Sequence, residues 1–182
     1  MKRGLEGTLQ LATYESAVST LTRDFSQSFE AHHGLVFRTA YRITGNAADA
    51  EDVLQTIFLR LLRMAPTAEL PENEESYLRR AAVNASVDLI RARHAERSVP
   101  LKEAAAETGK AANQDLRDGL RRAIAGLSPQ SAEIFALRYF EDFTNREIAK
   151  ALRVSQVLVA VKLHRARHQL QKELLSYWGG RS

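Results

Sequence analysis

Apolar side chains recur at helical spacing through most of this chain, and one stretch shows the pattern most clearly. Its intervals of three and one residues put every apolar member on one broad side of a helix: Ala50, Val53, Leu54, Ile57, Phe58, Leu61 and Leu62. Only nine glycines and four prolines interrupt the 182 residues, which favours long helices over many short strands. The sequence therefore predicts an all-α fold.

Breaks in the periodicity divide the chain into two small helical domains. Residues 1–24 show no strong period and are expected to form a loosely ordered extension. Residues 25–97 predict three helices, the first of which ends near Gly45. Residues 98–114 are rich in alanine and polar side chains, which predicts a flexible linker, and helical periodicity returns over 115–178.

Hydrogen-bond acceptors at fixed offsets mark where several helices begin. A side-chain oxygen just before a helix can accept from its free backbone N–H groups, and four residues are placed to do so: Asn46, Ser128, Thr144 and Ser155. Thr144 and Glu147 have the spacing of a capping box. Only a short turn separates the helix that Thr144 opens from the next one, and this indicates a helix-turn-helix.

Charge is distributed unevenly along the first domain, although the whole chain carries a net charge of only +4. The stretch 45–75 has seven acidic residues against two arginines, and the stretch 76–97 has five arginines against two acids. An acidic surface beside a basic one predicts two different partners, one of them a polyanion.

The chain lacks the residues that several functional classes of protein require. The chain has no cysteine, no apolar run long enough to span a membrane and no segment typical of a secretory signal. Asp49, Glu51 and Asp52 crowd one helical turn without a histidine spaced to join them, and no glycine-rich phosphate loop occurs. We therefore expect no metal, no cofactor, no membrane insertion and no catalytic site.

The last predicted helix has two distinct faces when its residues are placed at intervals of about 100°. One face is expected to pack on the preceding helix: Val159, Leu163, Ala166 and Leu170. The opposite face carries Val157, Val161, His164, Arg165 and His168. In a helix-turn-helix this face enters the major groove of duplex DNA. An ordinary helical hairpin with a solvated basic face fits the same spacing equally well.

Motifs in both domains resemble those of the sigma-70 family, in its compact extracytoplasmic-function group. The run from Asp49 to Gln55, followed by Phe58, resembles region 2.2. Tyr77-Leu78 with Asn84, Asp88 and Arg91 resembles regions 2.3 and 2.4. Four motifs of the second domain resemble region 4: Leu127-Ser128-Pro129, Leu137-Arg138-Tyr139, Glu147-Ile148-Ala149 and Leu163-His164-Arg165-Ala166-Arg167. These motifs occur in the order that the family shows. The extracytoplasmic-function group lacks the region 3 domain between regions 2 and 4, and the short linker of this chain resembles that arrangement.

The resemblance implies a role for each group of residues. The acidic helix would contact core RNA polymerase through Asp49, Glu51, Asp52, Gln55 and Phe58. The loop 66–75 would accept a flipped base of the −10 promoter element. The basic helix expected to start at Ser76 would melt and hold that element through Tyr77, Arg80, Asn84, Asp88, Arg91, Arg93 and Arg97. The second domain would read the −35 element through Ser155, Val157, Val161, Lys162, His164, Arg165 and Arg167.

Two places depart from the family pattern. Tyr77 stands where the family usually has tryptophan, and 157–162 is largely apolar where the family favours polar residues that face DNA. A valine can contact a thymine methyl, but it cannot hydrogen-bond to a guanine or adenine edge. We therefore expect weaker or altered −35 selection.

The resulting hypothesis is a cytoplasmic transcription initiation factor that binds core RNA polymerase and promoter DNA and is no enzyme itself. The resemblance adds an anti-sigma factor as a partner, in a stress or envelope response. The alternative is a helix-turn-helix regulator that binds duplex DNA without polymerase, and such a protein would not need the acidic helix. A protein-binding adaptor is a third reading, which only Val157 and Val161 support.

Overall fold

The computed structural model describes residues 25–63, 73–97 and 111–179, and these ranges contain seven α-helices and no strand. The helices are α1 over 25–44, α2 over Ala47–Arg63, α3 over Glu74–Arg97, α4 over Ala111–Ala125, α5 over Pro129–Tyr139, α6 over Asn145–Leu152 and α7 over Gln156–Gly179. The all-α prediction is confirmed for these ranges. None of these helices combines the length and the apolar character that crossing a membrane requires.

Several predicted segments fall wholly or partly outside the described residues. These are the extension 1–24, the loop residues 66–72 and the linker residues 98–110. Two helix starts differ from the predicted ones. Helix α3 begins at Glu74, two residues before Ser76, because Asn73 Oδ1 accepts from the Ser76 amide over 2.8 Å. Helix α4 begins at Ala111, inside the predicted linker.

The predicted caps form as local hydrogen bonds. Asn46 Oδ1 accepts from the Ala48 amide over 2.8 Å, directly after Gly45 turns the chain with a φ of 62°. Ser128 Oγ accepts from the Ser131 amide, and Ser155 Oγ accepts from the Leu158 amide over 3.1 Å. In each case the donor amide lies two or three residues after the capping side chain. The residues next to each helix start therefore determine where the helix begins.

The helices α1, α2 and α3 enclose the first core. Its buried members are Val36, Ala40, Ala50, Val53, Ile57, Phe58, Leu78 and Ala82. One apolar residue that the helical pattern assigned to the buried side is instead exposed: Leu62, by 54%. Leu62 lies in the last turn of α2, at the edge of the packed surface.

The two halves of the chain share a second core. Ile43, Val83 and Ile90 from the first half lie in one buried cluster with second-half residues that include Ile134, Leu137, Ile148, Val159 and Leu163. A third cluster joins Val87 of α3 to Ile124, Leu127 and Phe135. Helix α3 is therefore apolar on two sides, one for its own domain and one for α4 and α5.

Candidate nucleic-acid interface

The acidic helix α2 presents three of its five predicted contact residues to solvent. Glu51, Asp52 and Gln55 are exposed. Phe58 is only 4% exposed, and its ring meets Phe29 edge-on with the ring centroids 4.9 Å apart. Phe58 therefore lies on the apolar side of α2 that its spacing predicts, and its ring completes the first core.

Asp49 is also buried, with 5% of its surface exposed. Its carboxylate forms an ion pair with the guanidinium of Arg93 on α3. The prediction that Asp49 faces outward is wrong because Arg93, which lies 44 residues further along the chain, covers it. Both residues of this pair therefore hold α2 against α3 in the described arrangement.

A groove between α2 and α3 gathers most of the residues predicted to bind the −10 element. Its α3 side includes Tyr77, Arg80, Asn84 and Asp88. Its α2 side includes Asp52, Thr56 and Arg60. The sequence prediction missed Thr56 and Arg60, although successive intervals of four residues place Asp52, Thr56 and Arg60 on one helical face.

Two of these α3 side chains bind an acidic residue of the second half. Arg80 donates from Nε to Glu133 Oε1 over 3.1 Å, and Asn84 donates from Nδ2 to the same oxygen over 3.0 Å. Arg80 also donates from Nη1 to the backbone carbonyl of Ala151 over 2.8 Å. The donors of Arg80 and Asn84 are thus engaged by α5 and α6.

Arg91 reaches the carboxyl end of α4. Its Nη2 donates to the Leu127 carbonyl over 2.9 Å and its Nε donates to the Ala125 carbonyl over 3.4 Å. A cation suits this position because the last carbonyls of a helix carry partial negative charge. Asp88 is exposed and lies 3.5 Å from Arg91 Nη1. The side chain of Arg97 lies outside the described part of the chain.

A buried carboxylate completes the contact between the halves. The side chain of Glu141 is fully buried and pairs with Arg79 of α3 and Arg42 of α1. Burial by itself would lower the pKa of Arg79, but its hydrogen bonds to Glu75 and Glu141 outweigh that effect and raise the pKa. The arginine stays charged, so the buried anion keeps its partner.

Helices α6 and α7 form the predicted helix-turn-helix. The turn runs through Arg153, which ends α6 in the left-handed conformation with a φ of 54°. The predicted inward face of α7 is confirmed, because Val159, Leu163, Ala166 and Leu170 are all at most 5% exposed. The outward face is confirmed as well, with exposed Val157, Val161, His164, Arg165 and His168. Ser155 and Arg167 are exposed, and Lys162 is half-buried.

Positive charge surrounds this outward face more widely than predicted. The stretch 145–172 contains seven lysines and arginines against one acidic residue, Glu147. Arg146, Lys150 and Arg153 are also exposed, and the predicted set of DNA contacts, which starts at Ser155, does not include them. A charge count over the whole helix-turn-helix would have found them.

Glu147 is bound within its own helix. Its Oε2 accepts from the Thr144 amide and from the Thr144 hydroxyl, each over 2.7 Å, and Thr144 in turn caps the Glu147 amide. The amide and hydroxyl hydrogen bonds of Thr144 lower the pKa of Glu147. The one carboxylate in the stretch 145–172 is therefore engaged in the capping box at the start of α6.

Comparison with known proteins gives matches across both halves of the chain. The family model described as sigma-70 region 2 matches residues 28–96, and the model described as sigma-70, region 4 matches residues 117–170. The RNA polymerase sigma-E factor of Streptomyces avermitilis is 30% identical over 156 residues, covering 84% of this chain and 86% of that relative. The ECF RNA polymerase sigma factor SigW of Bacillus subtilis is 22% identical over 165 residues, covering 82% of this chain and 88% of SigW.

Two solved structures are similar in fold. CnrH in complex with the cytosolic domain of CnrY matches with a TM-score of 0.51 and 24% identity, over 89% of this chain and 94% of that one. The sigma factor RpoE in complex with the anti-sigma factor NepR from Bartonella quintana matches with a TM-score of 0.50 and 21% identity, over 84% of this chain and 97% of that one. These likenesses bear on the fold alone.

Proposed function

This chain belongs to the sigma-70 family, in its extracytoplasmic-function group, and we propose that different groups of its described residues bind the polymerase and the two promoter elements during initiation. Helix α2 contacts core RNA polymerase, the groove between α2 and α3 holds the −10 element, and α7 reads the −35 element. The chain acts in the cytoplasm, where the polymerase works, and is no enzyme itself. The observation that carries this proposal is the outward face of α7, which meets solvent at the end of a basic helix-turn-helix.

The polymerase surface consists of Glu51, Asp52 and Gln55. These side chains lie off the buried stripe of α2, so a partner can bind them without disturbing the core. Asp49 and Phe58 are left out of this surface, because both are buried and hold α2 in place. Their effect on polymerase binding is therefore indirect.

The −10 surface is the groove between α2 and α3. Tyr77 supplies an aromatic ring for a base, while Arg80, Asn84 and Asp88 supply polar groups for base edges and the backbone. Arg91 and the predicted contact Arg97 extend this surface along α3. Arg93 acts through its pair with Asp49, which keeps the two walls of the groove together.

The −35 surface combines positioning and reading. Exposed cations on α6 and α7 neutralise phosphates, and Arg165 and Arg167 of α7 share this role with Arg146 and Lys150 of α6. Ser155 and Lys162 lie at the start and flank of α7, where the backbone of the duplex passes a recognition helix. His164 lies on the outward face beside them.

An anti-sigma factor is the proposed regulatory partner. The solved sigma factor RpoE of similar fold is in complex with the anti-sigma factor NepR, which supports a comparable inhibitor for this chain. Copurification of the chain from its native host, followed by identification of a partner that blocks core polymerase binding, tests this part of the proposal.

Charge reversal on α2 tests the polymerase surface. We expect Glu51→Lys combined with Asp52→Lys to weaken binding to core RNA polymerase severalfold, since each exposed pair contributes about 0.2–1 kcal/mol. Helical content by circular dichroism should stay unchanged, and run-off transcription from a cognate promoter should fall in parallel. Glu173→Lys, a reversal of an exposed charge on α7, serves as the control.

The same measurements separate this proposal from the regulator that binds duplex DNA alone. A sigma factor binds core polymerase and confers promoter-specific initiation, whereas the regulator binds DNA and ignores the polymerase. Unchanged polymerase affinity in the double reversal would remove α2 from the interface. Absence of any core binding by the unaltered chain would reject the whole assignment.

A further inference from the structure

Two valines face solvent on the first two turns of the −35 helix. Val157 is 73% exposed and Val161 is 40% exposed, whereas their neighbour Val159 is fully buried. Residues four apart lie above one another on a helix, so the two side chains form one apolar stripe. We propose that this stripe reads the C5-methyl groups of thymines in the major groove, and this inference rests on the proposed −35 function.

The charge around the stripe favours duplex DNA as its occupant. The stretch 145–172 carries seven lysines and arginines against one acid, and that acid is bound to its own helix cap. Arg165 follows Val161 by four residues on the same face of α7, and Arg153 precedes Val157 by four residues in the sequence. An apolar strip between cations matches a groove floor lined with methyl groups and walled by phosphates.

The chemistry of valine restricts what the stripe can recognise. Valine has neither a donor nor an acceptor, so it leaves a cytosine amino group or a guanine carbonyl without a hydrogen bond when it displaces water. Thymine is the one base that presents a methyl group in the major groove. Burial of one methyl against one valine corresponds to a change in affinity of about three- to fivefold.

The spacing of the valines sets the spacing of the thymines. Four residues of α-helix rise by about 6 Å. This length spans about two base-pair steps of roughly 3.4 Å each. We therefore expect Val157 and Val161 to contact two methyl groups no more than two steps apart, on either strand of the −35 element.

Replacement of thymine by deoxyuridine tests this contact, because it removes the methyl and leaves the hydrogen-bonding edge intact. Holoenzyme assembled from the full chain and core polymerase first selects its preferred −35 duplex from a randomised pool. Each thymine of that duplex is then replaced in turn, and affinity is measured by competition. We expect a three- to fivefold loss at one or two positions and no change at the others.

Substitution of the valines completes a double-mutant cycle. Val157→Ala and Val161→Ala should each lower affinity for the thymine duplex and should each lose sensitivity to deoxyuridine at one position. Both valines are exposed, so thermal unfolding should show the variants folded. Gln156→Ala, a change at an exposed neighbour outside the stripe, should keep the full discrimination.

The outcomes distinguish this inference from the function on which it rests. A selected −35 motif with no sensitivity to deoxyuridine overturns the methyl contact and leaves the −35 function standing. Selection of no motif at all rejects both. If the valine variants keep the thymine preference but lose binding to polymerase or to an inhibitor, the stripe is a protein contact and the inference is wrong.

Discussion

Arg80 of α3 donates a hydrogen bond to Glu133 of α5, over 3.1 Å between its Nε and the carboxylate Oε1. Asn84 donates to the same oxygen. Both donors belong to the proposed −10 surface, so a promoter strand must compete with a carboxylate of the same chain for them. In this arrangement the second half of the chain covers part of the surface that is proposed for the −10 element.

Removal of the charge at Glu133 should therefore tighten binding of the −10 strand. We expect Glu133→Gln to raise the affinity of the full chain for a single-stranded −10 oligonucleotide by about two- to fivefold, the range expected for a partly exposed ion pair. Fluorescence anisotropy at constant salt measures the change. Glu173→Gln removes the same charge from an exposed site on α7, and an equal gain there would show that net charge alone is responsible.

Arg93 should matter for stability through the buried carboxylate that it covers. Arg93→Met leaves Asp49 without its cation, and we expect the free energy of unfolding to fall by about 1–3 kcal/mol. Urea denaturation measures this loss. Glu51→Gln, an exposed acid two residues from Asp49, should change stability by less than about 0.5 kcal/mol. A similar loss in both variants would contradict the structural role of the pair.

The capping box of α6 should give a pH dependence with a defined sign. Its hydrogen bonds lower the pKa of Glu147 in the folded state, so this carboxylate stabilises the fold above its unfolded-state pKa. The stabilisation is lost as the pH falls through the lowered pKa. We expect Glu147→Gln to be less stable than the parent at pH 7 and to approach it below about pH 4 in urea titrations. A difference that stays constant with pH would count against this account.

Two glycines should respond differently to alanine. Gly45 has a φ of 62°, and an added Cβ would lie 1.8 Å from Nη2 of Arg121, so that side chain must also move. The backbone conformation alone predicts a loss of about 1–2 kcal/mol for Gly45→Ala. At Gly126 the nearest atom to an added Cβ is 3.5 Å away, so Gly126→Ala should be tolerated. Equal midpoints in thermal unfolding would contradict the prediction.

Local contacts of this protein follow from its sequence, because their partners lie close along the chain. Asn46 and Thr144 cap helices through atoms two or three residues away. The faces of α7 follow from helical period alone, since each buried residue repeats every three or four positions. These elements were predicted at the level of single residues.

Contacts between distant helices did not follow from the same patterns. Asp49 is paired across 44 residues and Arg80 across 53, and no local rule connects such positions. One signal was present in α3, where Val83 and Val87 recur four residues apart on a side that the first core does not use. A helix that is apolar on two sides predicts a second packing partner.

The buried anion at Glu141 has a consequence for the order in which the protein is made. Synthesis runs from the amino terminus, so Glu141 is added 62 residues after Arg79 and 99 residues after Arg42. Until then the two arginines lack this carboxylate, although Arg79 already has Glu75 four residues before it. The contact between Glu141 and the two arginines can therefore form only after the turn that follows α5 has been synthesised.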